Sequence, residues 1–255
     1  MRWASHVRRA APTLVLLAAV VGLWEVVVQA ANTPAWLWPS PAAVARSLAD
    51  DDGLLARNAW VTAREMLLGF ALAAAVGMLL AALLHFSAAV RRAVYPILVA
   101  SQTVPVVVLA PILVVAFGYG LLPKLAIVAL VCFFPVVVGM SDGLRSADRQ
   151  YRRLMLTLDA GALDLFRRVE LPASLPALFS GLRIAAAYAA IGAVFGEWAG
   201  SGSGLGYVMQ QAAPALATPR IFASVVLLTA MALALFGAVT LVERLAVPWS
   251  RDAAA

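Results

Sequence analysis

The feature that most constrains this chain is a succession of six stretches of largely apolar residues: approximately Pro12–Ala31, Met66–Leu84, Val94–Phe117, Leu121–Met140, Leu178–Trp198 and Phe222–Val242. Each has about the 20 residues that an α-helix, rising roughly 1.5 Å per residue, needs to cross about 30 Å of hydrocarbon. The runs are continuously apolar rather than alternating, which argues against the segments of about ten residues that build a membrane β-barrel. Hydrophobic residues make up 64% of the chain and charged residues 13%, against roughly 45–50% and 25% in a soluble domain. A water-soluble fold and a disordered chain are both excluded, and an all-α polytopic membrane protein is expected.

The net charge is +6, and eighteen of the nineteen basic residues are Arg. They lie in short clusters between apolar runs, with no basic stripe interleaved with aromatics, so no nucleic-acid partner is expected. Fourteen fall on one face: Arg2, Arg8, Arg9, Arg91, Arg92, Arg145, Arg149, Arg152, Arg153, Arg167, Arg168, Arg183, Arg244 and Arg251. The other face holds five, Arg46, Arg57, Arg64, Lys124 and Arg220. The positive-inside bias therefore puts both termini in the cytoplasm, consistent with an even number of spans. The acidic run Asp50-Asp51-Asp52 falls in an outer loop. The first span follows a charged start but is too long for a signal peptide and has no convincing cleavage site, so it is read as retained. The expected organisation is a cytoplasmic segment 1–11, a six-helix transmembrane domain 12–243 with a cytoplasmic connection at 142–177, and a cytoplasmic tail 244–255. Cys132 is the single cysteine, which excludes an intrachain disulfide and suggests a small buried packer.

Two carboxylates interrupt spans, Glu25 and Glu197. An ionisable group in hydrocarbon is a functional candidate, but both sit toward outer ends, where headgroup contact or pairing inside the bundle accounts for them equally well. No charge occurs from Ala93 to Pro123, and this stretch is punctuated by Pro96, Pro105, Pro111, Gly118, Gly120 and Pro123. A straight helix is not expected there, because an interior Pro removes a donor and kinks the helix. Broken helices can line translocation routes or simply pack. Gln102, Thr103, Pro105, Pro111 and Glu197 are the candidate pathway-lining residues. Gly200, Gly202, Gly204 and Gly206 around Ser201 and Ser203 mark a flexible outer loop, either a substrate cradle or a plain turn.

The long polar connection carries six Arg with Asp142, Asp148, Asp159, Asp164 and Glu170. Leu154, Leu158, Leu165 and Phe166 recur at roughly helical spacing, and Leu171-Pro172 and Leu175-Pro176 read as helix stops. One or two short amphipathic helices are expected at the membrane face, with apolar residues that need a partner, either lipid or protein.

These residues resemble a known family, the membrane subunit of ATP-binding-cassette importers, in the branch of nitrate, sulfonate, taurine and thiamine-precursor permeases. The family loop reads Glu-Ala-Ala, three residues, Gly, nine residues, Ile, one residue, Leu-Pro. Val169-Glu170-Leu171-Pro172 matches its end, and counting back ten from Val169 reaches Asp159, where the family has Gly. The branch shows Thr-Leu-Gly-Ala-Ser where this chain has Thr157-Leu158-Asp159-Ala160-Gly161, and Arg153-Leu154-Met155 replaces Glu-Ala-Ala. A displaced Gly161 is a candidate for supplying the turn. Further matches, in order, are Leu37-Trp38-Pro39-Ser40-Pro41, Ala110-Pro111 with Phe117-Gly118-Tyr119-Gly120, and Phe133-Phe134-Pro135 with Asp142-Gly143-Leu144. Gly196-Glu197-Trp198 with Gly204-Leu205-Gly206-Tyr207 completes the set.

The resemblance implies a six-helix type I importer permease that pairs with a second permease copy, an extracytoplasmic solute-binding protein and cytoplasmic ATPase subunits in a bacterial inner membrane. It implies that Thr157, Leu158, Asp159, Ala160, Gly161, Leu165, Phe166, Arg167, Leu171 and Pro172 couple to the ATPase. Leu165 and Phe166 would be the apolar anchor, and Arg167 and Arg168 a polar rim or lipid contacts. Ser101-Gln102 with Thr103-Val104-Pro105, the Val131–Pro135 run and Gly192–Trp198 look most like permeases for thiamine-precursor pyrimidines, with riboflavin, taurine, alkanesulfonate and nitrate open. The chain has no phosphate-cradling loop around its single Lys124, and His6 and His85 are isolated in sequence, so no enzymatic activity, metal or cofactor is expected. A stand-alone secondary transporter using Glu25 or Glu197, and a membrane scaffold, are the rival readings.

Overall fold

A computed structural model describes residues 2–50 and 53–251. Asp51, Asp52 and the last four residues of the expected tail lie outside the described residues. Every regular element described is helical. In order they are α1 (Arg2–Ala30), α2 (Pro41–Ala49), α3 (Leu54–Phe86), α4 (Ala88–Ser101), α5 (Val106–Phe117), α6 (Leu121–Arg145), α7 (Arg149–Thr157) and α8 (Ala162–Leu165). A π turn (Phe166–Glu170), α9 (Leu171–Trp198), α10 (Leu205–Ala212), α11 (Thr218–Ala246) and a 3₁₀ turn (Pro248–Arg251) follow.

Helices α3, α6 and α9 form the core, and glycines let them meet backbone to backbone. Without a large hydrophobic drive between helices in lipid, close van der Waals approach over small residues holds such a bundle together. A Cβ on Gly69 of α3 would lie 2.4 Å from Val128 Cβ, and one on Gly77 2.9 Å from Val136 Cβ. Both pairs are separated by the same 59 positions, so α3 and α6 run parallel in one register. Against α9, Gly181 faces the Pro135 carbonyl at 2.3 Å, Gly192 faces Val128 Cα at 2.8 Å, and Gly143 of α6 faces the Ser174 carbonyl at 2.7 Å. That order runs opposite, so α9 is antiparallel to α6. Met66, Ala73, Val128, Cys132, Val136, Val137, Ala185 and Ala189 fill the interior. Cys132 is a buried packer, as expected, and its thiol donates to the Ala185 carbonyl at 3.2 Å.

Two expectations change, and the expected departure from a straight third span takes definite form. The second span is a 33-residue helix that begins at Leu54, twelve residues before the expected Met66. Its early polar residues Asn58, Thr62 and Glu65 are buried against the bundle, so polarity there marks packing rather than a loop. The third span is two helices, α4 and α5, bent by 104°, with the break at residues 102–105. Among the described residues, five helices are long and apolar enough to cross a membrane, and six spans result when the bent pair counts as one. Finally, Leu171-Pro172 and Leu175-Pro176 do not end the connection. Pro172 sits in the first turn of α9 and Pro176 inside it. Neither proline stops the chain, because the π turn before Pro172 runs directly into α9 and close contact of Ser174 and Ala177 with α6 holds the helix through both.

Replacing Gly181 by Ala drives a methyl into the Pro135 carbonyl and should destabilise the protein by about 1–3 kcal/mol, measured as a drop in thermal midpoint in detergent. Gly22→Ala, inside α1 where nothing lies within 4 Å, should not lower the midpoint, since Ala is the better helix former.

Candidate functional site

The connection between α6 and α9 folds as a compact helix pair. Asp148 caps α7 by accepting from the Gln150 N–H at 2.7 Å. The helix ends in a Schellman turn: the Ala160 N–H donates to the Met155 carbonyl at 3.0 Å and that of Asp159 to the Leu156 carbonyl at 3.2 Å. The residue that turns left-handed is Asp159 (φ +57°). Gly161 is extended, at φ −69°, so it does not supply the turn. Asp is among the few residues with a Cβ that visit this region, which is how the chain keeps the bend without the family's Gly.

From Ala162 the chain runs as one helical rod to Trp198, 37 residues. The π turn at its base closes hydrogen bonds over five residues instead of four, which brings positions five apart to one side. Leu165 and Glu170 are accordingly both buried. Leu165 therefore packs within this chain, and Phe166 packs at a tilt against Phe86 (centroids 4.9 Å) and His85 (5.9 Å). Neither is the free apolar anchor expected of it. The exposed apolar side chains are Tyr151, Leu154, Leu156, Leu158 and Leu163, and Thr157, Asp159, Gly161, Arg167 and Arg168 are exposed beside them, whereas Ala160, Leu171 and Pro172 are half-buried.

Glu170 locks this pair to the bundle. It is 2% exposed, and its carboxylate meets His85 Nε2 of α3 at 2.7 Å and Arg152 Nη2 of α7 at 3.0 Å. Thus His85, isolated in sequence, joins the last turn of one core helix to the base of another.

A second polar cluster lies at the opposite end of the bundle. The register that pairs Gly69 with Val128 also pairs Glu65 with Lys124, whose Nζ donates to Glu65 Oε1 and to Ser201 Oγ, both at 2.6 Å. Glu197 is fully buried. Its Oε1 accepts from the Thr62 hydroxyl at 2.6 Å, and its Oε2 from the Gly206 N–H. Asn58 Oδ1 accepts from the Gly204 N–H at 2.6 Å, and Thr62 Oγ1 from the Leu205 N–H at 2.8 Å. The glycine-rich segment 200–206 is therefore seated on α3 and α9, not a free loop. Gly204 is required there: at φ +110°, its Cβ would sit 2.2 Å from the Glu197 carboxyl.

The remaining candidates are elsewhere. Gln102, Thr103 and Pro105 occupy the exposed break between α4 and α5. Thr103 Oγ1 donates back to the Ala100 carbonyl at 2.8 Å and Ser101 Oγ to that of Leu98 at 2.7 Å, so both hydroxyls are spent on the last turn of α4. Pro111 lies within α5, exposed. The hydrogen bonds of Glu197 go to Thr62 and Gly206 instead. Glu25 has a structural role: its Oε2 accepts from the Ala42 N–H at the start of α2 (3.0 Å) and its Oε1 from Gln29 (2.6 Å). Sequence reading missed Thr62, Glu65, Lys124 and Arg152. The available signal was the spacing of charged residues that the glycine register aligns.

A family model described as "Binding-protein-dependent transport system inner membrane component" matches residues 73–251. The chain is 39% identical over 241 residues to the formylaminopyrimidine transport permease protein of Halalkalibacterium halodurans, covering 94% of this chain and 96% of the relative. It is 35% identical to the riboflavin transport system permease protein of Chloroflexus aurantiacus over 92% of this chain and 88% of the relative. With the nitrate import permease protein of Leptolyngbya laminosa it shares 26% identity over 81% and 76%.

Asp159→Gly should relieve the left-handed Cβ contact and stabilise the fold by up to about 1 kcal/mol, seen as a raised thermal midpoint. Lys124→Met leaves Glu65 buried without its cation and should cost about 3–5 kcal/mol; adding Glu65→Gln should restore part of that loss in the same measurement.

Proposed function

Because the chain belongs to the family of binding-protein-dependent transport system inner membrane components, we propose that it moves its solute by alternating access, driven by a separate ATPase that docks on α7 and α8. The chain is an importer permease of the ATP-binding-cassette class, and its relatives are transport proteins rather than enzymes. The observation that carries the proposal is the unbroken rod from Ala162 to Trp198. A push on α8 travels along α9 without a joint and reaches Glu197 and the glycine segment at the far end. Packed helices of this kind respond to load as rigid bodies.

The docking surface in this reading is the exposed apolar set, Leu154, Leu158 and Leu163 with Tyr151, flanked by Thr157, Asp159 and Arg167. Leu165, Phe166, Leu171 and Pro172 hold the lever to its own bundle. Two permease copies around a shared pathway, cytoplasmic termini and a binding protein on the opposite side complete the arrangement. The sequence bias of Arg toward the connection's side supports that orientation. The solute proposed is a thiamine-precursor pyrimidine, on the strength of the formylaminopyrimidine relative, with selection made by the binding protein.

Leu158→Asp combined with Leu163→Asp should leave the thermal midpoint of the permease near that of the wild type, yet reduce co-purification with its ATPase and lower binding-protein-stimulated ATP hydrolysis in liposomes by at least about tenfold, the loss of one buried anchor pair. Unchanged hydrolysis would overturn the docking assignment. Uptake of labelled formylaminopyrimidine that riboflavin and nitrate fail to compete away is the outcome expected for the solute.

A further inference from the structure

At the end of the bundle that carries the connection, a small cavity lies between α3, α4 and α6, lined by Ala81, Leu84, His85, Arg91, Ser141 and Arg145. Its volume of about 10 Å³ admits roughly one water-sized atom. Its walls hold two kinds of unanswered polarity. Ser141 is 6% exposed and its Oγ has no hydrogen-bond partner among the described residues. Other helical serines here bond back to their own helix, as Ser174 does to the Leu171 carbonyl and Ser224 to that of Arg220; Ser141 keeps its hydroxyl for the cavity. Arg91 and Arg145 form no ion pair among the described residues, in a region where Arg152 and His85 are both engaged by Glu170. Asp142, next to Ser141, is exposed and pairs with neither arginine.

We propose that this cavity, with Arg91 and Arg145, is a binding site for a phosphate-type oxyanion. One oxygen enters and accepts from the Ser141 hydroxyl, and the oxygens left outside are held by the two guanidinium groups. A tetrahedral oxyanion offers oxygens in diverging directions, as this geometry requires, whereas the two coplanar oxygens of a carboxylate serve one guanidinium fork or the cavity but not all three donors. Arg91 and Arg145 lie where the apolar stretches of α4 and α6 meet polar sequence, the depth of phospholipid headgroups, so a headgroup phosphate and a free phosphate are the two sources of this chemistry. The site shares a wall with His85, whose Nε2 holds Glu170. An anion bound there therefore touches the same residue that anchors the base of the rod.

The experiment uses the full-length permease purified in neutral detergent, with its thermal midpoint read after addition of phosphatidylglycerol, phosphatidylcholine or inorganic phosphate. No ATPase is involved, so the outcome is independent of the docking assignment. Phosphatidylglycerol should raise the midpoint by about 2–4 °C over phosphatidylcholine in the wild type and in Arg153→Gln, a control for surface charge. That difference should vanish in Arg91→Gln combined with Arg145→Gln, and shrink in Ser141→Ala, which keeps both arginines should the double variant fail to fold. An equal rise with inorganic phosphate alone assigns the site to the free anion, and a rise with the lipid only assigns it to a headgroup. If neither addition shifts the wild type, or if both the arginine and the serine variants keep the full shift, the cavity holds water only and the proposal is overturned.

Discussion

Everything in this protein rests on how closely three helices approach. Between Gly181 and the Pro135 carbonyl, and between Gly69 and Val128, there is no room for a single additional carbon. In a medium where burying a leucine gains little, such contact is what distinguishes one packing from another. It also sets the register, and the register decides which polar side chains meet. Glu65 finds Lys124 because both lie on the line drawn by the glycines. A shift of one turn along α6 would leave each buried without the other, a far larger penalty than a lost apolar contact.

The two ends of the bundle use this alignment differently. At one, Asn58, Thr62 and Glu197 hold down a segment that has almost no side chains of its own, and three consecutive backbone N–H groups, of Gly204, Leu205 and Gly206, are satisfied by side chains of α3 and α9. At the other, a single carboxylate, Glu170, gathers partners from α3 and α7. The rod from Ala162 to Trp198 has Glu170 near its base and Glu197 near its tip, so each buried acid fastens one end of the same helix.

Much of the architecture is legible in the sequence. Apolar run length located the spanning helices, and the prolines and glycines between Ala93 and Pro123 foretold that the chain would not run straight there. The break at residues 102–105 shows why its position was harder to read: Pro96 and Pro111 are tolerated inside helices, and only Pro105 starts a new one. Asp159 stood out as a departure from the family loop, but which residue turned left-handed depends on backbone torsions that composition does not encode. Leu165 and Phe166 fitted an amphipathic face at regular helical spacing, and the π turn rotated them inward. The polar cluster around Glu197 was hidden because its members lie up to 146 positions apart, and Arg57, Arg64 and Lys124 looked like the edge of a loop.

The left-handed aspartate between α7 and α8 has a mechanical corollary. A glycine at such a corner is a soft pivot, since its backbone wanders over both signs of φ; a residue with a Cβ samples far fewer torsions around the bend. Asp159 thus makes the elbow less compliant than a glycine would, and a torque applied to the exposed faces of the two short helices is spent less on flexing the corner and delivered more fully to the shaft behind it.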